Sequence, residues 1–251
     1  MAALITGAGG GIGLYMAKKL SDMGYDIIIT GRNEERLKAL SAELKTKTKI
    51  IPADLSKKEE CIRLYNETKW NNVEILINNA GFGEFAAFSE GDLENELNMI
   101  DLNIKAVHIL MKLFLEDFVK KDSGYILNVG SLAAFPPGPM MATYYGTKSY
   151  VYKLTLSVRE ELRRSGSRVY CGVLCPGPVA TGFNSRAGVK FATKGIDPKY
   201  CGEYAIEKMF KKKAVIIPGK AEKLLPFLRH LAPVSLQAAA CFEFQKKKDG
   251  K

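Results

Sequence analysis

The chain has no apolar run approaching the roughly 18–20 residues that cross a bilayer. It also lacks low-complexity tracts and solenoid-like repeats, and it has only two histidines, His108 and His230. The first absence excludes an ordinary membrane-spanning helix. Neither histidine has a metal-like partner at helical spacing, so both are expected to be ordinary helix residues, and no metal mechanism is expected. None of the five cysteines falls in a zinc-like spacing. The nearest pair, Cys171 and Cys175, lies in a predicted strand. Four strand residues span about 13 Å, too far for a disulfide or a shared metal; core or surface thiols are expected. Met1-Ala2-Ala3-Leu4-Ile5-Thr6 offers no basic n-region and no cleavage site, which predicts a cytoplasmic location.

What is present is an ordinary globular composition: 251 residues, 47% hydrophobic and 25% charged. The net charge is +10, with lysine runs at Lys211-Lys212-Lys213 and Lys246-Lys247-Lys248. No aromatics interleave with these runs. Solvated helix ends, together with attraction of anionic cofactors or substrates, therefore explain them better than nucleic-acid binding.

Short β-rich apolar runs alternate with longer amphipathic stretches. Strands are predicted at 2–6, 26–30, 49–52, 74–78, 124–129, 168–174 and 214–217. Helices are predicted at 11–23, 33–44, 57–70, 93–119, 144–165 and 199–210. Several strand runs are apolar throughout, as strands buried on both faces require. Asn33 is an expected N-cap, followed by Glu34 and Glu35 in the first turn. Repeated β-α-β units predict an α/β fold: one doubly wound, Rossmann-like domain with a parallel sheet of about seven strands and helices on both faces. Residues 1–130 form mainly a cofactor-binding half, 131–217 a catalytic and substrate half, and 218–251 a C-terminal helical tail. Phe183–Lys199 reads as a mobile loop or lid. In the tail stretch Lys220–Phe244, Pro226 and Pro233 are each expected to start or break a helix.

Thr6-Gly7-Ala8-Gly9-Gly10-Gly11-Ile12-Gly13 joins the first predicted strand to the first helix. Glycines let backbone approach a pyrophosphate, and the helix N-terminus favours its charge. In this strand-loop-helix context the loop predicts a dinucleotide site. The second strand ends Thr30-Gly31-Arg32, with no acid at its tip to bind ribose hydroxyls. The Arg32 guanidinium suits a 2′-phosphate, which predicts NADP(H).

Tyr144 and Lys148 lie four apart on a predicted helix and share a face. A phenol titrates near 10, and an adjacent ammonium is expected to lower that value toward the working pH. Ser131 ends the fifth strand, where ligands bind in open α/β sheets, and its hydroxyl can bond a carbonyl oxygen as charge develops there. Tyr145 is the rival phenol; spacing to Lys148 favours Tyr144.

With Asp54-Leu55, Asn78-Asn79-Ala80-Gly81, Asn103, and Pro176-Gly177 with Thr181 in order, the chain resembles the short-chain dehydrogenase/reductase family in its compact type. The resemblance covers nearly the whole chain. Gly7, Gly11 and Gly13 match this type rather than the longer sugar-nucleotide epimerase branch. The resemblance implies that Tyr144 exchanges the proton with the carbonyl oxygen and that Lys148 also binds the nicotinamide ribose. Asn103 would hold a water in the proton relay. Cofactor contacts are implied at Gly7, Gly9, Gly11, Ile12, Gly13, Arg32, Asp54, Leu55, Asn79, Ala80, Gly81, Pro176, Gly177, Val179 and Thr181. Asp54 and Leu55 would meet the adenine, and Pro176, Gly177 and Thr181 would flank the nicotinamide. A homodimer or homotetramer is expected on the same ground.

Phe82, Phe85, Phe183 and the segment Ala133–Met141 could line an apolar pocket. The expected reaction interconverts a ketone or 3-oxoacyl group and a secondary alcohol, on a small hydrophobic substrate such as a 3-oxoacyl thioester, a long-chain ketone or a steroid. The alternatives are a non-catalytic NADP-binding regulatory protein and an NAD-dependent hydroxysteroid dehydrogenase. The tail is expected to pack over the substrate pocket or against a second subunit, in preference to resting on an anionic membrane.

Overall fold

In the computed structural model, residues 1–183, 195–219 and 232–246 are described. The elements run β1 (Ala2–Thr6), α1 (Gly11–Asp22), β2 (Asp26–Gly31), α2 (Glu34–Glu43), β3 (Thr48–Pro52), α3 (Lys58–Thr68) and β4 (Val73–Asn78). Then come α4 (Leu93–Ile100), a π-helical turn (Asp101–Ala106) and α5 (Val107–Lys121). β5 (Tyr125–Val129), α6 (Ala142–Arg164), β6 (Tyr170–Leu174), α7 (Pro198–Phe210), β7 (Val215–Ile216) and α8 (Val234–Lys246) complete the described chain. The strands form one seven-stranded sheet in the order β3-β2-β1-β4-β5-β6-β7. Every pairing is parallel. This is the doubly wound, Rossmann-like architecture expected from the alternating pattern.

The sheet is buried because its strands are apolar on both faces. Along β1, Ala3 and Ile5 join one core with Met16, Leu20 and Ile206. Ala2 and Leu4 join the other with Leu64, Phe114 and Phe118. Alternate residues of one strand therefore anchor helices on opposite faces. Two buried amides of the sheet are paired: Asn78 Nδ2 donates to Asn128 Oδ1 at 2.9 Å, and Asn128 Nδ2 to Thr155 Oγ1 at 2.9 Å.

Local signals place the helix ends. Asn33 Oδ1 caps α2 by accepting from the Arg36 N–H at 2.9 Å. Asp197 caps α7, whose first turn carries Pro198. The predicted helix 93–119 is interrupted at 101–106 by the π turn, which residue periodicity does not reveal because the apolar spacing continues through it. The sixth strand begins at Tyr170 rather than Arg168, since Arg168 is bonded to Asp122 through both its N–H and its guanidinium. Of the expected lid at 183–199, residues 184–194 lie outside the described residues. So do Pro226, His230 and the rest of 220–231. Pro233 directly precedes α8. Lys211 ends α7 paired with Glu207 at 2.6 Å, a solvated helix end as expected. Among the described residues no helix is long and apolar enough to cross a membrane.

All five cysteines are free, and Cys61, Cys171, Cys175 and Cys201 are buried. Burial pushes each of these four thiols from near 9 up to about 12. In the unfolded chain they release protons near pH 9, while the folded chain retains them. The stability they contribute is thus full below pH 9 and is lost as pH rises toward 12. The melting temperature is expected to fall progressively above pH 9, with a shallower slope in Cys201→Ala. Identical slopes in thermal melts of the two proteins would count against this account.

Candidate active site

A cleft of about 1230 Å³ runs along the carboxyl ends of the strands. At one end lies the glycine loop. Gly7 and Gly11 adopt left-handed backbone, at φ 65° and 58°. A Cβ on Gly7 would stand 2.9 Å from Ala80 Cα, and one on Gly13 would stand 2.4 Å from Asn79 Nδ2. The loop and the fourth strand are bonded as well as close. Thr6 Oγ1 accepts from the N–H groups of Asn79 and Ala80 at 2.9 and 3.0 Å. Asn79 Nδ2 donates to the carbonyls of Thr6 and Gly7 at 2.8 and 3.1 Å.

No side chain caps the N-terminus of α1, and the space beside Gly10 is open to 4 Å. Uncapped N–H groups facing an open cradle are the donor set a pyrophosphate requires. The residues present therefore fit a dinucleotide. Beyond the loop the cleft is walled by Gly31, Arg32, Arg36, Ala53, Asp54 and Leu55. Asp54 is turned to its own loop, accepting from Ser56 N and Oγ at 3.2 and 2.9 Å. Glu34 pairs with Lys38 at 2.8 Å. Neither Glu34 nor Glu35 is among the cleft-lining residues, whereas both guanidinium residues are.

At the other end, Ser131, Tyr144 and Lys148 share the wall of the same cleft. Ser131 follows β5, and its Oγ accepts from the Ala133 N–H at 3.1 Å, which fixes the turn that presents it. Tyr144 and Lys148 come from α6 and are 9% and 5% exposed. Lys148 Nζ donates to the Val129 carbonyl at 2.9 Å and lies 5.8 Å from the Tyr144 ring centroid. Burial raises the Tyr144 phenol to about 12, opposed by the Ser131 hydroxyl. Burial lowers the Lys148 ammonium to about 8. The expected depression of the phenol by Lys148 is thus not the direction found. Both groups are removed from water, which disfavours tyrosinate and ammonium alike, and the ammonium bonds a carbonyl rather than the phenol.

Asn103 sits in the π turn, fully buried. Its amide is bonded within the protein: Nδ2 to the Phe82 carbonyl at 2.8 Å and Thr147 Oγ1 at 3.1 Å, and Oδ1 to the Phe82 N–H at 3.1 Å. It therefore braces the loop after β4 against α6. A Cβ on Gly81 would meet both Asn103 Oδ1, at 2.9 Å, and Lys148 Nζ, at 3.4 Å. π turns recur at functional sites because they shift one residue out of helical register.

The expected cofactor residues Gly7, Gly9, Gly11, Ile12, Asn79, Ala80, Gly81, Pro176, Gly177, Val179 and Thr181 line the cleft. Gly13 and Asn103 do not; they stand behind its wall. Ala133, Phe135, Pro136, Met141 and Phe183 line the substrate side, whereas Phe82 and Phe85 pack behind Tyr144 with Met99. Tyr145 also borders the cleft, but its hydroxyl is engaged, accepting from Gln245 Nε2 at 2.7 Å. Sequence reasoning missed Arg36, whose position one helical turn after Arg32 is a usable signal. The tail was expected to pack over the substrate pocket or against a second subunit, and α8 does line the cleft, through Leu236, Ala240, Cys241 and Phe244.

The family model described as short chain dehydrogenase matches residues 1–190. An uncharacterized oxidoreductase of Staphylococcus epidermidis is 34% identical over 181 residues, 71% of this chain and 78% of its own length. A probable NADP-dependent dehydrogenase of Haemophilus influenzae is 34% identical over 170 residues, 66% of this chain and 68% of its own. Among solved structures, a short-chain dehydrogenase from Sphingobium yanoikuyae in complex with NADPH has a TM-score of 0.83 at 28% identity, covering 91% of this chain and 93% of that one. A bulky-bulky ketone specific alcohol dehydrogenase from Comamonas testosteroni has a TM-score of 0.80 at 26% identity, covering 92% and 91%.

Two glycine positions of the loop, Gly10 and Gly13, separate packing from loop flexibility. Gly13→Ala drives a methyl group into Asn79 and is expected to destabilise the fold by about 1–3 kcal/mol and to weaken nucleotide binding. Gly10→Ala meets open space and should leave the melting temperature near that of the parent. Equal melting temperatures for the two variants would remove the close-approach argument.

Proposed function

The chain belongs to the short-chain dehydrogenase family, and on that premise we propose that it interconverts a ketone or 3-oxoacyl group and a secondary alcohol with NADP(H). The observation that carries the reading is one continuous cleft, with the uncapped glycine loop at one end and Ser131, Tyr144 and Lys148 at the other. The same reading treats the chain as one unit: residues 1–130 carry the nucleotide, 131–217 the chemistry, and α8 of the C-terminal tail closes the substrate side.

The preference for NADP(H) rests on Arg32 and Arg36. Two guanidinium groups near the tip of β2 provide a forked donor set for a 2′-phosphate dianion. No carboxylate occupies the place where a ribose diol would be held. The NADPH complex of one similar structure and the NADP-dependent description of one relative support this choice. The apolar substrate side favours a hydrophobic carbonyl compound, in keeping with the ketone specificity stated for another similar structure.

When bound, the nicotinamide supplies or accepts the hydride. The protein does the rest. Tyr144 Oη gives its proton to the carbonyl oxygen as that oxygen gains charge, or takes it back in the alcohol direction. Its raised phenol value of about 12 keeps it protonated at neutral pH, the form that reduction requires. Ser131 Oγ donates a hydrogen bond to the same oxygen. Lys148 would hold the nicotinamide ribose hydroxyls, and Asn103 fixes α6, which carries Lys148, to the loop after β4.

Tyr144→Phe is expected to lower kcat by about 10²–10⁴ while NADPH binding, read by its fluorescence, is kept. Near-normal turnover would refute the role. For the cofactor, the ratio of kcat/KM for NADPH over NADH should exceed one. Replacing Arg32 and Arg36 by Ala should cut the NADPH value roughly tenfold or more, the size of a lost charge-assisted bond. A parent enzyme that prefers NADH would overturn this assignment.

A further inference from the structure

One wall of the substrate side belongs to a helix that the proposed chemistry does not use. α8 lines the cleft with Leu236, Ala240, Cys241 and Phe244. Its one fully buried side chain is nevertheless polar: Gln245, 0% exposed. Gln245 Nε2 donates to the Tyr145 hydroxyl at 2.7 Å, and Cys241 Sγ lies 3.7 Å from the same oxygen. Gln245 Oε1 is buried with no hydrogen-bond partner. Tyr145 in turn packs edge-on against Tyr144, with ring centroids 6.2 Å apart. Along α8, Val234, Leu236 and Phe244 remain 66%, 59% and 53% exposed.

We propose that Gln245 and Tyr145 form a latch that holds α8 as the outer wall of the substrate side, and that this pair sets the size of substrate the enzyme admits. The latch is weak by construction. A neutral hydrogen bond adds little net stability, and a bare buried carbonyl oxygen removes a comparable amount. The apolar residues of α8 do not compensate, because half of their surface still faces water. A bulky apolar substrate lying against Leu236, Ala240 and Phe244 supplies the missing burial and draws the wall shut. A small substrate leaves those residues wet and gains nothing from closure. This part rests on the ketone reading given above; the latch itself does not.

Cys241 makes the latch measurable. It is partly buried and touches the latch oxygen, while the other four thiols are fully buried. Iodoacetamide on the native, full-length protein therefore reports opening of α8 without any turnover. Gln245→Ala and Tyr145→Phe are each expected to speed Cys241 alkylation about fivefold, the scale of one lost hydrogen bond. The double variant should be no faster than the faster single one, because the two residues share a single contact. Saturating benzophenone should slow alkylation in the parent protein and acetone should not, and Gln245→Ala should blunt that difference.

Unchanged rates in both single variants, additive effects in the double variant, or equal protection by the two ketones would each overturn the proposal. A rate that follows protein concentration rather than either substitution would place a second copy over α8 and overturn it as well. Failure of the reductase reading would look different: no ketone reduction, with the rates of the three variants still ordered as expected.

Discussion

The glycine loop and the end of β4 meet through backbone, the Thr6 hydroxyl and the Asn79 amide. The contact joins β1 to β4, the place in the β3-β2-β1-β4-β5-β6-β7 order where the chain reverses its direction of winding. Helices leaving the two strands go to opposite faces of the sheet, so a crevice opens between them. Thr6 and Asn79 close its floor by bonding reciprocally. Gly7 and Gly13 allow this because a side chain at either would strike the neighbouring strand. Without that approach, the nucleotide end would not line up with the groups carried by β5 and α6.

Parallel pairing extends the consequence across the sheet. All the carboxyl ends fall on one edge, so Arg32 after β2, Asp54 after β3, Gly81 after β4, Ser131 after β5 and Pro176 after β6 all border a single cleft. α6 then lays Tyr144 and Lys148 against Ser131. Both side chains are buried there, which explains why phenol and ammonium both move toward their neutral forms. Burial dominates the titration of both groups, with the Ser131 hydroxyl opposing it at the phenol. Bringing the two residues together is thus a matter of helix spacing, but their titration is a matter of solvent exclusion.

Much of this was legible in the residues. The strand-loop-helix context identified Gly7–Gly13, and the missing acid after Thr30 singled out Arg32. The four-residue step linked Tyr144 with Lys148. The π turn at Asn103 was not legible, because one inserted hydrogen-bond step leaves the apolar pattern nearly unchanged. Phe82 and Phe85 were expected in the pocket and pack behind it instead, since an aromatic in a loop carries no record of the side to which it turns. Arg36 was readable in principle, one turn beyond Arg32.

The sequence by itself determined the alternation of strands and helices, the glycine loop and the chemical types placed at each strand end, because these depend on local backbone geometry and short-range spacing. Only the tertiary structure decided which groups stand in the cleft and which stand behind it, how far burial moves the Tyr144 phenol, and that α8 returns to seat Gln245 on Tyr145. Those outcomes depend on contacts between residues as many as 100 positions apart and on the exclusion of water, and neither is encoded in any local pattern.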